Sequence, residues 1–265
     1  MVPVIEREER FREFSVRCVR YPAGLTQMPH AHPEPRLCLI LRGTLAETSA
    51  AGAVNAGAWS LAVKPPGVEH SDSFGPTGTR ILSVLFATER GATSAEARTS
   101  LGRWQWLDDG TGARPGVAAL AALTVGGTAG RNAIAAAVRA LLHELQERER
   151  RRAVATSPPW MALALAALER DNGGPGAVSR AAGAAGVHRV TLARRLRRHG
   201  KGSARGRLCW LRVRRAAHWL TGTTRPLARI AVEAGFADQS HMCRDVRRTL
   251  GVTPGRLRQL AAGPG

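Results

Sequence analysis

The segment from Pro226 to Arg258 limits what this chain can fold into more than any other part of the sequence. Leu227, Ile230 and Ala231 would form the apolar face of one helix, and Gly235 follows at the place where helices commonly end in the left-handed region. The segment therefore predicts a short helix that stops at a tight turn.

A second helix should follow this turn. Asp238 stands where an N-cap residue accepts backbone N–H bonds, and Met242 and Val246, four residues apart, would share the buried side. The opposite side then carries Gln239, Ser240, Cys243, Arg244 and Arg247. Because glutamine can pair with adenine and arginine with guanine in the major groove, this face suits base recognition in double-stranded DNA. The alternative is a solvated basic helix face without a partner.

The charge of the chain is concentrated in the same region. Of a formal net charge of +19 over 265 residues, residues 1–160 carry 19 basic and 15 acidic side chains, whereas residues 161–265 carry 20 and 5. Such an excess suits nucleic acid, an anionic membrane surface or solubility alone, and composition does not choose among them. The two-helix segment favours nucleic acid over a non-specific architectural or membrane-surface protein.

Other features of the sequence indicate a cytoplasmic protein. The stretch MVPVIEREERFREF is charged from position 5 onward, and no run of 18 apolar residues occurs that could cross a membrane. We therefore expect no membrane partner. The cysteines are scattered without a C-x-x-C pair, which predicts free thiols at Cys18, Cys38, Cys209 and Cys243.

The run GFADQSHMCRDVRRTLGVTPGRLR, from Gly235 to Arg258, resembles the signature of the AraC/XylS family of transcription regulators. The matching positions are Ile230, Ala231, Gly235, Phe236, Gln239, Ser240, Arg244, Gly251, Thr253, Pro254 and Arg258. Met242 and Val246 stand where the family more often has phenylalanine, so the core role is kept with less volume. The resemblance implies a DNA-binding regulator with two helix-turn-helix units, and contact with RNA polymerase if it is an activator.

The resemblance extends more weakly over residues 177–220. It implies a first recognition helix with base contacts from Val190, Ala193 and Arg194 and phosphate contacts from Arg189, Arg197 and Arg198. Two departures stand out. His188 occupies the usual serine cap position, and the preceding helix VSRAAGAAG contains Gly183, which lowers helix stability by about 1 kcal/mol relative to alanine. This unit should therefore be the less stable of the two.

The chain changes character along its length. Short apolar runs with Gly and Pro punctuation predict strands at Leu37–Leu41, Trp59–Val63 and Ile81–Phe86. Beyond residue 158 every segment has a helical pattern: Trp160–Arg170, Ala177–Ala184, Arg189–Arg198, Ala204–Leu220, Leu227–Ala234, Gln239–Leu250 and Pro254–Leu260. A charged stretch with two prolines marks a linker at residues 150–158. The sequence thus divides into domains at residues 1–152 and 158–265.

A long amphipathic helix precedes this linker. Its apolar residues recur at helical spacing, at Ile134, Val138, Leu141, Leu142 and Leu145. The stripe is long enough to pack on a second copy, giving a homodimer, or back on the β-rich domain of the same chain. Of the two arrangements, we favour the homodimer.

The stretch MPHAHPEPRLCLILRG, residues 28–43, places His30 and His32 on one face of an extended segment. Together with PPGVEH, which ends in His70, it resembles the paired motifs of a cupin barrel. The resemblance implies a divalent metal held by His30, His32 and His70. Arg36 occupies the place of the glutamate that completes this set, and a guanidinium cannot bind a metal.

Three interpretations of this barrel follow. Three neutral imidazoles can still hold zinc, or Arg36, with Cys38 beside it on the same face, can bind a carboxylate or phosphate of a small effector, or the barrel is packed without a ligand. The expected fold class is α+β, with an N-terminal cupin-like barrel followed by helices and a C-terminal all-α tandem helix-turn-helix domain. The expected function is effector-responsive, sequence-specific transcription regulation without enzymatic activity. The alternative is a metal-dependent cupin enzyme fused to a basic DNA-binding tail.

Overall fold

A computed structural model describes residues 2–87, 99–153, 158–171, 174, 176–198 and 203–262 of the protein. The chain divides into two compact units, one of Met1–Gln146 with Leu250–Gly265 and one of Glu147–Thr249. The sequence-based division follows the motifs instead, and it stays a prediction. Residues 154–157 of the predicted linker lie outside the described residues.

The first unit is built on antiparallel strands. They are β1 (Val4–Arg10), β2 (Phe14–Tyr21), β3 (Thr26–His30), β4 (Arg36–Arg42), β5 (Thr44–Ser49), β6 (Gly52–Gly57), β7 (Leu61–Lys64), β8 (His70–Phe74), β9 (Thr79–Phe86) and β10 (Gln105–Leu107). One sheet has the order β1-β2-β9-β4-β7-β10 and the other the order β3-β8-β5-β6. The predicted β-rich N-terminal domain is confirmed.

The three apolar runs predicted as strands are neighbours in the larger sheet, as β4, β7 and β9. All three strands are buried along nearly their whole length, which is why their sequences are mostly apolar and do not alternate between apolar and polar residues. Cys38 and Ile40 belong to the cluster inside the barrel. On the other face, a Cβ at Gly116 would collide with Leu39, so a helix lies close against the sheet there.

The helices of this unit are α1 (Ala113–Val125), α2 (Gly127–Ala153) and, at the end of the chain, a helix over Pro254–Ala262. The apolar stripe of α2 is buried within the single chain at Ile134, Val138, Leu141 and Leu145. A Cβ at Gly112 would lie 2.9 Å from Leu141 Cδ1 and 2.8 Å from Leu61 Cδ2. The stripe therefore packs back on its own β-rich domain, and a homodimer would need another surface.

A buried arginine holds the C-terminal helix. Arg80 donates from Nη1 to the carbonyl oxygens of Leu260, at 2.8 Å, and Ala261, at 3.1 Å, and from Nε to Glu6 Oε2, at 2.7 Å. The last carbonyl groups of a helix have no partner within the helix and carry partial negative charge. Arg80 therefore stabilises this helix end and links it to strand β9.

The second unit contains α3 (Trp160–Arg170), α4 (Ala177–Ala184), α5 (Arg189–Arg198), α6 (Ala204–Gly222), α7 (Leu227–Glu233) and α8 (Gln239–Leu250). The C-terminal helix of the first unit, Pro254–Ala262, is α9. These helices match the predicted segments, with small differences at the ends of α6, α7 and α9. Leu168, Leu192 and Leu196 lie in the core of the unit and are fully buried. Among the described residues, no helix combines the length and apolar character needed to cross a membrane.

Candidate nucleic-acid interface and barrel site

Three histidines come together at one end of the barrel. His30 and His70 are paired across β3 and β8, and their ring centroids are 4.4 Å apart, with His32 4.9 Å from His30 and 5.0 Å from His70. One ring nitrogen of each lies within 4.8 Å of the others. The sequence interpretation placed the same three residues together.

The protonation of these rings suits a metal. His30 Nδ1 lies 2.8 Å from the Met28 carbonyl oxygen and His70 Nδ1 lies 3.0 Å from that of Val68, and since a carbonyl oxygen only accepts, Nδ1 carries the proton and Nε2 keeps its lone pair. Burial lowers the pKa of His32 to about 3, with a further contribution from Arg36, and burial lowers that of His70 to about 4, with a further contribution from Lys64. Neutral imidazole is the form that binds metal.

Arg36 is buried beside these histidines and forms an ion pair with Glu34. Glu34 is thus held by the guanidinium and does not replace the missing metal-binding glutamate. Arg36 Nε is buried and has no hydrogen-bond partner in the described parts of the chain. Cys38, two residues further on, is buried with its Sγ 3.6 Å from Ser83 Oγ. Both candidate effector residues therefore lie inside the barrel.

A buried charge cluster that the sequence pattern does not predict lies beside the histidines. Lys64 forms an ion pair with Glu47 and lies 3.8 Å from Asp72 Oδ1, while Trp106 Nε1 donates to Glu47 Oε1 at 2.7 Å. Burial raises the pKa of Glu47 against the opposing effect of the Lys64 ammonium group. The single ammonium group of Lys64 offsets one of the two carboxylates, and Glu47, Asp72 and His70 each place one possible metal-ligand atom within 4.8 Å of the others. A lysine in the apolar strand LAVK is the one signal in the sequence that could have indicated it.

The turn of the second helix-turn-helix has the predicted glycine geometry. Gly235 has φ 86°, the Gly235 N–H donates to Val232 O at 3.0 Å, and the Phe236 N–H donates to Ala231 O at 2.9 Å. These two bonds form a Schellman motif, which ends a helix at a left-handed residue. A Cβ at Gly235 would also lie 3.6 Å from Arg212 Nε, so the side chain of Arg212 covers this turn.

Helix α8 presents the predicted face to solvent. Asp238 Oδ1 accepts the N–H of His241 at 2.7 Å, as an N-cap should, and Met242 and Val246 are fully buried. The candidate DNA-contacting residues are exposed at Gln239, Ser240, Arg244 and Arg247, and Cys243 is partly exposed. Burial of the apolar side thus orients the polar side outward.

Helix α5 shows the same division. Leu192 and Leu196 are fully buried, Ala193 is partly buried, and the exposed candidates are Arg189, Val190, Arg194 and Arg197. The side chain of Arg198 lies outside the described residues. His188 Nδ1 accepts the Val190 N–H at 3.4 Å, a longer bond than the one Asp238 makes. The first helix-turn-helix unit therefore has the weaker cap.

These two exposed faces lie within a known type of domain. Residues 181–260 match a family described as a helix-turn-helix domain. The chain carries an AraC-type helix-turn-helix DNA-binding domain. The AraC-type domain covers both recognition helices, α5 and α8, and a comparison with curated proteins finds no match.

Several solved structures resemble the chain. A transcriptional regulator with an AraC-type DNA-binding domain from Chromobacterium violaceum is 25% identical, covering 40% of this chain and 96% of its own, with a TM-score of 0.38. ToxT from Vibrio cholerae is 12% identical, covering 94% and 99%, with a TM-score of 0.39. The Schizosaccharomyces pombe Cnp3 cupin domain is 18% identical, covering 30% and 56%, with a TM-score of 0.28. These scores are low, so the domain assignment rests on the family match.

Within the AraC-type domain, Asp245 connects the second recognition helix to α6. Its carboxylate accepts the Cys209 thiol at 3.3 Å and Arg248 Nη2 at 2.8 Å, and it lies 3.4 Å from His241 Nε2. Burial raises the pKa of Cys209, and the hydrogen bond to Asp245 raises it further, so the thiol keeps the proton it donates. Residue spacing does not indicate this contact, because Cys209 and Asp245 are 36 positions apart.

Proposed function

We propose that the protein is a sequence-specific transcription regulator whose barrel binds a small effector and whose α5 and α8 contact DNA. One observation carries the proposal: both recognition helices bury their apolar side and expose the side with base-pairing groups. The strong positive charge of residues 161–265 adds the electrostatic attraction to phosphates on which DNA affinity depends. We place this activity in the cytoplasm.

The contacts divide between bases and phosphates. On α8, Gln239, Ser240 and Arg244 would contact base edges, with Cys243 and Arg247 beside them. On α5, Arg194 would contact a base and Val190 and Ala193 would touch thymine methyl groups, with Arg189 and Arg197 on phosphates. The first helix-turn-helix unit has fewer polar groups for base contacts, so its half of the DNA site should tolerate more base changes.

The variant Arg244→Ala tests base recognition. A bidentate arginine–guanine contact is worth roughly 1 to 3 kcal/mol, so selection of bound fragments from randomised DNA should show preference lost at one base position. Arg229→Ala is the matched control, because Arg229 is exposed on α7 and pairs with Glu233 in its own helix. Equal loss of affinity for selected and random DNA in Arg244→Ala would make Arg244 a phosphate contact instead.

The distance between the two recognition helices can be tested separately. Helix α6, which connects the two helix-turn-helix units, has 19 residues, and at 1.5 Å per residue it spans roughly 28 Å. Successive major-groove faces on one side of B-DNA are about 34 Å apart, so the two elements should lie about ten base pairs apart. Inserting five base pairs between them should weaken binding at constant salt. Equal affinity for the two DNAs would show that the first helix-turn-helix unit makes no contact with DNA.

The barrel is proposed as the regulatory part. His30, His32 and His70 can hold a zinc ion as three neutral imidazoles, and zinc there would order this end of the barrel. Metal analysis of the purified protein and of His70→Ala tests this, and equal zinc content in both would remove the site. A metal content combined with oxygen consumption would support the cupin-enzyme alternative instead. A homodimer and contact with RNA polymerase complete the proposal for an activator.

A further inference from the structure

A partly open cavity of about 280 Å³ lies in the barrel. This volume lies at the small end of the range for ligand sites in proteins, so a compact molecule would fill it. On the larger sheet, the side chains that face the cavity form rows across neighbouring strands. In one row Arg36 lies opposite Lys64 and Leu85, and the next inward-facing row contains Arg17, Ser83 and Cys38. The row after that is apolar and contains Val19, Ile81 and Ile40. The cavity therefore has a polar end and an apolar end.

At the polar end, Arg17 is a cation that no side chain in the described parts of the protein neutralises. Three basic side chains line the cavity, and two of them are paired, Lys64 with Glu47 and Asp72, and Arg36 with Glu34. Arg17 has no ion pair or hydrogen bond from its side chain within the described ranges, and its Nε is buried. Arg36 Nε, one row away, is also buried without a partner. Buried donors without acceptors are costly, so these two guanidinium groups favour an anion.

The apolar end is lined by aromatic and aliphatic side chains. Tyr21 and Phe74 stack with ring centroids 4.1 Å apart and an interplanar angle of 10°, and Leu45 and Ile81 line the same cavity. Burial raises the pKa of Tyr21 to about 12, so its hydroxyl stays neutral at physiological pH. This end would accept a hydrocarbon or aromatic group and reject a second charge.

We propose that the cavity binds a compact monocarboxylate, with the carboxylate between Arg17 and Arg36 and an apolar body against Tyr21, Leu45 and Phe74. A planar carboxylate matches the paired N–H groups of a guanidinium. The carboxylate of Asp72 on the cavity wall disfavours a doubly charged phosphate, and the unpaired Arg17 disfavours a cation. The assignment of this ligand as the effector rests on the proposed function, whereas its binding does not.

Calorimetric titration of the full chain with phenylacetate tests the proposal. We expect binding with a Kd of about 1 mM or tighter, and binding at least about tenfold weaker for phenylacetamide, which lacks the charge, and for acetate, which lacks the apolar body. Arg17→Met should weaken phenylacetate binding at least about tenfold, whereas Arg17→Lys should restore part of it. Arg20→Met is the matched control, because Arg20 is exposed on the same strand.

The outcomes separate cleanly. A melting temperature of Arg17→Met close to that of the unmodified protein would show that the barrel is intact. If Arg17→Met does not fold, the comparison of the three ligands and the Arg17→Lys variant decide the proposal. Equal affinity for phenylacetate and phenylacetamide, unchanged binding in a folded Arg17→Met, or no phenylacetate binding would each overturn the proposal. Because no DNA is present, failure here leaves the DNA experiments above unaffected, and failure of DNA recognition would leave this binding in place.

Discussion

Replacing Gly183 with alanine should stabilise α4, the first helix of the first helix-turn-helix unit. Gly183 is exposed inside α4, and a Cβ there would meet no atom within 4 Å. Glycine loses more backbone freedom than alanine when a helix forms, which costs roughly 0.5 to 1 kcal/mol. We therefore expect the free energy of unfolding of α4 to rise by about that amount.

Hydrogen–deuterium exchange of the full chain measures this change locally. If α4 opens independently of the rest, a gain of about 1 kcal/mol should slow exchange of its amides about fivefold. Peptides from β4 and β9, which lie in the other unit, give an internal reference that should not change.

Gly186→Ala makes the same chemical change with the opposite expected sign. A Cβ at Gly186 would also meet no atom within 4 Å, but its φ is 64°, in the left-handed region. Holding an alanine there costs roughly 1 to 2 kcal/mol. Exchange in α4 should therefore become faster in Gly186→Ala and slower in Gly183→Ala. Changes of the same sign in both variants, or faster exchange in Gly183→Ala, would refute the reasoning from backbone conformation.

Two further predictions concern buried charges of the first unit. Arg80→Met should lower the free energy of unfolding, measured by urea titration, by about 3 to 5 kcal/mol, because Glu6 loses a buried partner. Arg20→Met, at an exposed arginine that also pairs with Glu6, should lower it by less than about 1 kcal/mol. Similar losses in the two variants would contradict the role of Arg80. Burial raises the pKa of Glu144 in the folded protein. The stability that the protonated carboxyl group contributes is therefore fully present below the pKa of the unfolded state, and it is lost as pH rises through the pKa of the folded state. Glu144→Gln, which can still accept the Gly112 N–H, should thus be the more stable protein at about pH 7 and equal at about pH 3, and a difference of the same size at both would argue against it.

The AraC-type domain could be predicted from the sequence almost completely. The helix that ends at Gly235, the cap at Asp238 and the buried pair Met242 and Val246 all depend on residues within one or two helical turns of each other. Residue spacing predicts local geometry of this kind, so the exposed face of α8 could be predicted from the sequence. The contact of Asp245 with Cys209 did not, because it joins two helices.

In the barrel, the sequence determined the strands and the meeting of His30, His32 and His70, since the resemblance to paired cupin motifs carried the long-range information. Only the tertiary structure decided which charges neutralise one another: Arg36 with Glu34, Lys64 with Glu47, and Arg17 with neither. It also decided that the apolar stripe of α2 covers its own domain. These outcomes depend on strand pairing and on packing between residues far apart in the chain, and periodicity specifies which face of an element is apolar but not what covers it.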